Sequence, residues 1–174
     1  SRRRHTRYGT VTGVQTCALP ILANPSLLNE TPPSARRIDV GKRAKAHTLT
    51  QDQTNELLAT EAAAGNFVVR LKGGDPYLFG RGAEEAAYLA ARGIRCEVIP
   101  GITSGLAAPA TAGIPVTHRK MASTVTLVTG HEDPTKGQTS IDYKALADLI
   151  RAGGTVCFYM GVGRLDAIAQ ALHS

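Results

Sequence analysis

An apolar run, Phe67-Val68-Val69-Arg70-Leu71, leads directly into Gly73-Gly74-Asp75-Pro76, and an alanine-rich helical pattern opens at Ala83. This stretch constrains the fold more tightly than any other, because it demands a strand, a sharp loop and a helix in immediate succession. Ligands in open α/β sheets bind where strands end in such loops. Two adjacent glycines carry no Cβ, so the backbone there can approach a ligand closely. Asp75 puts a carboxylate at the bend and Pro76 fixes the exit. Taken alone, GGDP serves equally well as a tight turn that starts a helix.

The rest of the chain repeats the alternation. Thr50 and Gln53 form a capping-box pattern ahead of Leu57, Leu58, Ala62 and Ala63, with Gly65 as the stop. Arg37–Val40 and Cys96–Ile99 read as short strands, and Leu22–Glu30 as a weak helix. Ala83–Arg92 is a helix ended by Gly93, and a small-residue helix follows Pro100–Ser104 as far as Ala112. Ser123–Thr129 is rich in β-branched residues and reads as a strand. Tyr143–Arg151 is a helix, Thr155–Tyr159 a strand, and a last helix runs from Arg164 to Leu172. Strands alternating with helices predict a parallel α/β sheet with right-handed crossovers. A domain boundary is expected near Arg119–Ala122, giving domains at 21–120 and 121–174. Ser1–Pro20 shows neither helical nor strand periodicity and is expected to be a non-native leader.

Composition excludes several classes. The net charge of +6 suggests a nucleic-acid partner, but Arg2, Arg3, Arg4 and Arg7 supply most of it and the remainder is about +2. Tryptophan is absent and no stacking surface for bases is evident. Cys17, Cys96 and Cys157 form no CxxC pair, and the five histidines show no HxxxH spacing, so no metal site is expected. No apolar run is long enough to span a membrane. A P-loop fails because one residue too many separates Gly74 from Gly80 and Arg81 stands where lysine is required. Gly161-Val162-Gly163 lacks the third glycine of a dinucleotide fingerprint, and GxSxG is absent.

Four loops, 41–47, 72–82, 100–104 and 160–163, each follow a predicted strand. In a parallel sheet all lie at the carboxyl ends and can line one crevice. They offer small residues, one acid, hydroxyls and cations. That set suits a ligand with amine, carboxylate and ribose groups better than a polyphosphate.

Five stretches in order, VGKRAKAHTLTQDQTNELL, VVRLKGGDPYLFGRGAEE, EVIPGITSGLAAPATAGIPVTHR, TLVTGHE and FYMG, resemble the uroporphyrinogen-III C-methyltransferases, a branch of the tetrapyrrole methylase family. The resemblance runs from about Ile21 to Ser174. It implies a parallel-sheet α/β tetrapyrrole methylase fold of two domains, the second incomplete. It also implies transfer of methyl groups from S-adenosylmethionine to two pyrrole carbons of uroporphyrinogen III, giving precorrin-2 for sirohaem and cobalamin. The implied enzyme is a cytoplasmic homodimer working without metal, nucleic acid or membrane. By motif, Gly73, Gly74, Asp75, Leu78, Thr103, Ser104 and Met160 match the cofactor contacts, and Lys42 matches a catalytic proton donor. The substrate carries eight carboxylates, for which Arg43 and Arg81 are the candidate clamps.

The chain also departs from the family pattern. The GxGPGD loop has no counterpart, Pro20 stands in the register of an aspartate that accepts a proton, and the later strands of the second domain are missing. The expectation is therefore a fragment, truncated at both ends and inactive in turnover. Two alternatives stay open: a related methylase acting on a later corrin intermediate, and a non-catalytic S-adenosylmethionine-binding remnant.

Overall fold

The computed structural model describes residues 16–21, 23–40, 49–132 and 137–173. By its contacts the chain divides into two compact units, Ser1–Gly101 and Ile102–Ser174.

The first unit contains strand β1 (Thr16–Ile21), a 3-10 turn (Pro25–Glu30), β2 (Arg36–Arg37), helix α1 (Gln51–Ala63), β3 (Phe67–Lys72) and α2 (Gly82–Ala90). The strands form a parallel sheet in the order β2-β1-β3. The register of β1 on β3 runs from Thr16 opposite Phe67 to Ile21 opposite Lys72. Thr16–Pro20, assigned to the leader from sequence, thus form most of the middle strand. A ladder is built from backbone N–H and C=O groups, which a segment without clean periodicity still offers. Pro20 lacks a donor, and it lies beyond the only two β2 partners, Arg36 and Arg37.

α1 starts as its sequence predicts. The Thr50 hydroxyl accepts from the Gln53 N–H at 3.2 Å, and the Gln53 side chain accepts from the Thr50 N–H at 2.8 Å. Gly65 ends it with φ of 84°. Its buried face carries Thr54, Asn55, Leu58, Ala59 and Glu61. That corrects the predicted face: Leu57 is half-buried and Ala63 is exposed. Val40, Leu58, Ala59 and Leu89 form the core, with Ile38, Leu49, Val68, Tyr88 and Ile94 packed around them. The buried Glu61 is matched by Arg36 of β2 and by the Asn66 amide at 2.8 Å.

The second unit contains α3 (Ser104–Thr111), β4 (Val125–Thr129), α4 (Tyr143–Arg151), β5 (Thr155–Tyr159) and α5 (Leu165–His173). β4 and β5 pair in parallel, from Val125 opposite Thr155 to Thr129 opposite Tyr159, with α4 as the crossover. The Asp142 carboxylate caps α4 by accepting from the Ala145 N–H at 2.9 Å. Tyr143 stacks on Phe158 with ring centroids 6.5 Å apart.

The parallel α/β class expected from the alternation is what the structure shows. Several boundaries differ. Residues 102–120, placed in the first domain from sequence, belong to the second compact unit. Cys96–Ile99 is not a strand; its β-branched residues have no ladder partner among the described residues. β2 is only Arg36–Arg37, and within the predicted weak helix Pro25–Glu30 form a 3-10 turn capped by the Asn24 side chain.

Candidate functional site

β3 ends at Lys72, and the loop to α2 is organised by Asp75. One carboxylate oxygen accepts from the Tyr77 N–H at 2.9 Å; the other accepts from the Gly101 N–H at 3.2 Å. The first bond makes a local turn and the second ties the loop to a residue 26 positions away. Gly74 takes φ of 75°, a left-handed value that glycine adopts without a Cβ penalty. Gly101 lies so close that a Cβ on it would sit 2.3 Å from the Gly74 carbonyl oxygen. Gly73 and Gly74 are exposed, and Asp75 and Leu78 are half-buried. The loop therefore presents a Cβ-free edge on a fixed backbone.

Beneath it lies a charged cluster. The Glu85 carboxylate, in the first turn of α2, accepts from Lys72 Nζ at 3.1 Å on both oxygens. It also accepts from Arg70 Nε and Nη2 at 3.2 Å, and from Gln51 Nε2 at 3.3 Å. The side chains of Lys72 and Glu85 are 7% and 6% exposed. One buried carboxylate thus holds two cations at the point where β3 enters the loop. Burial in the first place lowers the Lys72 pKa from its usual 10.5; Glu85 opposes that shift, while Arg70 and Arg81 add to it.

Arg81 takes φ of 57° at the start of α2. Its guanidinium donates to Glu84 in a two-pronged pair, at 2.9 and 2.5 Å. Both side chains are more than half exposed.

In the second unit, Thr103 is the N-cap of α3 but makes no side-chain cap. Its hydroxyl lies 2.5 Å from the Tyr159 hydroxyl, which also accepts from the Gly105 N–H at 2.7 Å. Thr103 is buried and Ser104 is exposed. Met160 follows Tyr159 with φ of 55° and is 57% exposed. The Gly130 N–H donates to the Tyr159 carbonyl at 2.6 Å, and a Cβ on Gly130 would meet the Gly161 Cα at 2.6 Å. The ends of β4 and β5 therefore converge backbone to backbone.

Of the residues predicted from sequence, Gly73, Gly74, Asp75, Leu78 and Arg81 share the β3–α2 loop and its exit. Thr103, Ser104 and Met160 lie together in the second unit. Lys42 and Arg43 lie outside the described residues. Sequence reasoning did not single out Glu85 or Tyr159. A signal for Glu85 existed: Gly82, Glu85 and Leu89 share one helical face, and Arg70 and Lys72 share one strand face. For Tyr159 no local signal exists, because its partners lie 54 and 56 residues away. Among the described residues, no three His, Cys, Asp or Glu side chains gather as metal ligands would.

The chain resembles known proteins over most of its length. The sequence profile of the Tetrapyrrole (Corrin/Porphyrin) Methylases matches residues 11–174. The chain is similar to an S-adenosyl-L-methionine-dependent uroporphyrinogen III methyltransferase of Methanosarcina barkeri. They are 53% identical over 151 residues, covering 87% of this chain and 58% of the relative. It is 49% identical over 153 residues to a uroporphyrinogen-III C-methyltransferase of Bacillus subtilis, covering 88% of this chain and 31% of that protein. Among solved structures it is similar to a uroporphyrin-III C-methyl transferase of Thermus thermophilus complexed with S-adenyl homocysteine. The TM-score is 0.70 at 34% identity, over 92% of this chain and 64% of the other. The chain thus spans between about a third and two thirds of the length of these proteins.

Proposed function

The chain belongs to the tetrapyrrole (corrin/porphyrin) methylases, and on that premise we propose that it serves S-adenosylmethionine-dependent C-methylation of uroporphyrinogen III. The product is precorrin-2, toward sirohaem and cobalamin. The observation that carries the reading is the loop at Gly73, Gly74 and Asp75: exposed, Cβ-free at two positions, and pinned through Asp75 to Gly101. Such a loop suits a small polar cofactor that must be held by backbone groups. S-adenosylmethionine supplies the transferable methyl group when bound.

The residues of this chain do the binding and aligning. Gly73 and Gly74 offer backbone at close range, and Leu78 lies two residues beyond Pro76 on the same loop. Asp75 keeps lone pairs beyond the two it uses internally, available to an ammonium or a ribose hydroxyl. Ser104 offers an exposed hydroxyl, and Met160 a polarisable apolar surface for an aromatic ring. Thr103 acts from behind, since its hydroxyl is engaged by Tyr159. Arg81 is suited to take a substrate carboxylate. Its exposed pair with Glu84 is of a kind worth only about 0–1 kcal/mol, so exchanging Glu84 for a substrate carboxylate costs little. Lys42 is assigned the proton donation. At Pro20 no base is available to take the proton the macrocycle must lose, so we expect slow turnover by this chain. Alignment of the two reactants is the larger contribution to such a displacement, and the loops described supply it. The same reading takes the enzyme as a metal-independent cytoplasmic homodimer acting without nucleic acid or membrane.

Titration calorimetry of the 174-residue protein with S-adenosylhomocysteine tests the reading. Saturable heat at one site is expected, abolished by Gly74→Val and retained by Gly65→Ala. No heat from a folded wild-type sample overturns it.

A further inference from the structure

β5 holds the first turn of α3 by both backbone groups of one residue. Pro109 sits inside α3 and has no N–H, so it cannot make the helical bond back to the Gly105 carbonyl. The Cys157 thiol lies 3.5 Å from that carbonyl and donates to it instead. The Gly105 N–H, one of the donors a helix start leaves without an internal partner, is taken by the Tyr159 hydroxyl at 2.7 Å. Cys157 and Tyr159 are two apart on one strand and so share its face. No side chain fits at position 105, where a Cβ would meet the Tyr159 hydroxyl oxygen at 2.4 Å.

Tyr159 is also held from its other end. Its carbonyl accepts from the Gly130 N–H at 2.6 Å, and the Arg164 N–H closes the following turn on the Gly161 carbonyl at 2.9 Å. Between these bonds Met160 occupies the left-handed region at φ of 55°, which an L side chain does not choose unaided. One residue therefore fixes two exposed neighbours: its side chain sets the helix start that carries Ser104, and its backbone sets the turn that carries Met160.

We propose that Tyr159 is a positioning residue, tying Ser104 and Met160 into one rigid cofactor-facing surface through its hydroxyl contacts with Thr103 and Gly105 on one side and its backbone bond to Gly130 on the other. The inference rests on the reading of Ser104 and Met160 as cofactor contacts. It assigns Thr103 a different part from the one its motif suggests. Thr103 is buried, and its hydroxyl completes the tie.

Tyr159→Phe keeps the ring and removes the hydroxyl. S-adenosylhomocysteine affinity is expected to fall about tenfold, the scale on which an unpaired buried donor acts. Thr103→Val is expected to weaken binding as well, Thr103→Ser to restore it, and the double variant Thr103→Val, Tyr159→Phe to be no weaker than Tyr159→Phe alone. Ala147→Gly, on the buried face of α4, is the control for lost stability and is expected to leave the affinity unchanged. A Tyr159→Phe protein that binds as wild type, or weakens only as much as an equally destabilised Ala147→Gly protein, overturns the proposal. Hydrogen exchange without ligand forms a second arm. Exchange in Tyr159→Phe is expected to rise together at 104–107 and at 160–163; a rise confined to Gly105 overturns the tie. Wild-type protein that gives no heat with S-adenosylhomocysteine overturns the functional reading, and the exchange arm then decides the tie by itself.

Discussion

The β3–α2 loop and the end of β5 solve one problem with different chemistry. Each exposes residues in left-handed conformations, Phe79 and Arg81 in the first and Met160 in the second. Each must hold them against solvent and against their own backbone preference. The first is anchored by ions: Glu85 between Lys72 and Arg70 below, and the Asp75 carboxylate across to Gly101. The second is anchored by neutral groups, the hydroxyls of Tyr159 and Thr103 and the thiol of Cys157. Ionic anchors bind strongly in a low-dielectric interior but leave an uncompensated charge when one partner goes. Neutral anchors leave only an unpaired donor or acceptor. The two regions should therefore differ in mutational cost and in sensitivity to pH.

The largest effect is expected from Glu85→Ala, which removes the buried carboxylate that Lys72 and Arg70 share. Removing one partner of a buried pair costs about 3–5 kcal/mol, read as a drop in the urea midpoint. A loss under about 1 kcal/mol would place Glu85 among the exposed pairs and erase the contrast. Gly101→Ala comes next. Its Cβ cannot coexist with the Gly74 carbonyl, so the loop must move. Overpacking of this kind costs about 1–3 kcal/mol, and loss of S-adenosylhomocysteine binding should accompany it. Unchanged calorimetry would show that the Asp75 loop tolerates displacement.

The pH response is smaller and is expected at Lys72, in the first region. Lys72 has a lowered pKa, chiefly from burial. Between that lowered value and 10.5 the unfolded chain binds more protons at Lys72 than the folded chain does. Stability from this residue is thus fully present above 10.5 and is lost as pH falls through the folded value. On alkalinisation toward 10.5 the denaturation midpoint of wild type should gain relative to that of Lys72→Met. Equal slopes in the two proteins would remove Lys72 as the source. The smallest effect on stability belongs to Arg81→Ala. Its exposed pair with Glu84 is worth no more than about 1 kcal/mol, so the thermal midpoint should barely move. Weaker retention of a carboxylate-rich tetrapyrrole without loss of S-adenosylhomocysteine binding would mark Arg81 as a substrate clamp.

What could be read from the sequence was whatever neighbouring residues decide among themselves. The Thr50–Gln53 capping box, the Gly65 stop, the span Tyr143–Arg151 and the strand into GGDP all depend on interactions within about one helical turn or one strand. They appear in the structure where the sequence puts them. The chained motifs added the family, because several separated loops matched in order. Only the tertiary structure decided which distant groups meet. It set Asp75 on the Gly101 N–H, Glu85 between Arg70 and Lys72, and Tyr159 on Thr103 and Gly105. It also drew Thr16–Ile21 into the sheet and left Cys96–Ile99 out of one. Strand propensity is a preference of a residue, whereas a ladder needs a second backbone at hydrogen-bonding distance. A carboxylate or hydroxyl likewise has no fixed role until folding brings its partner near.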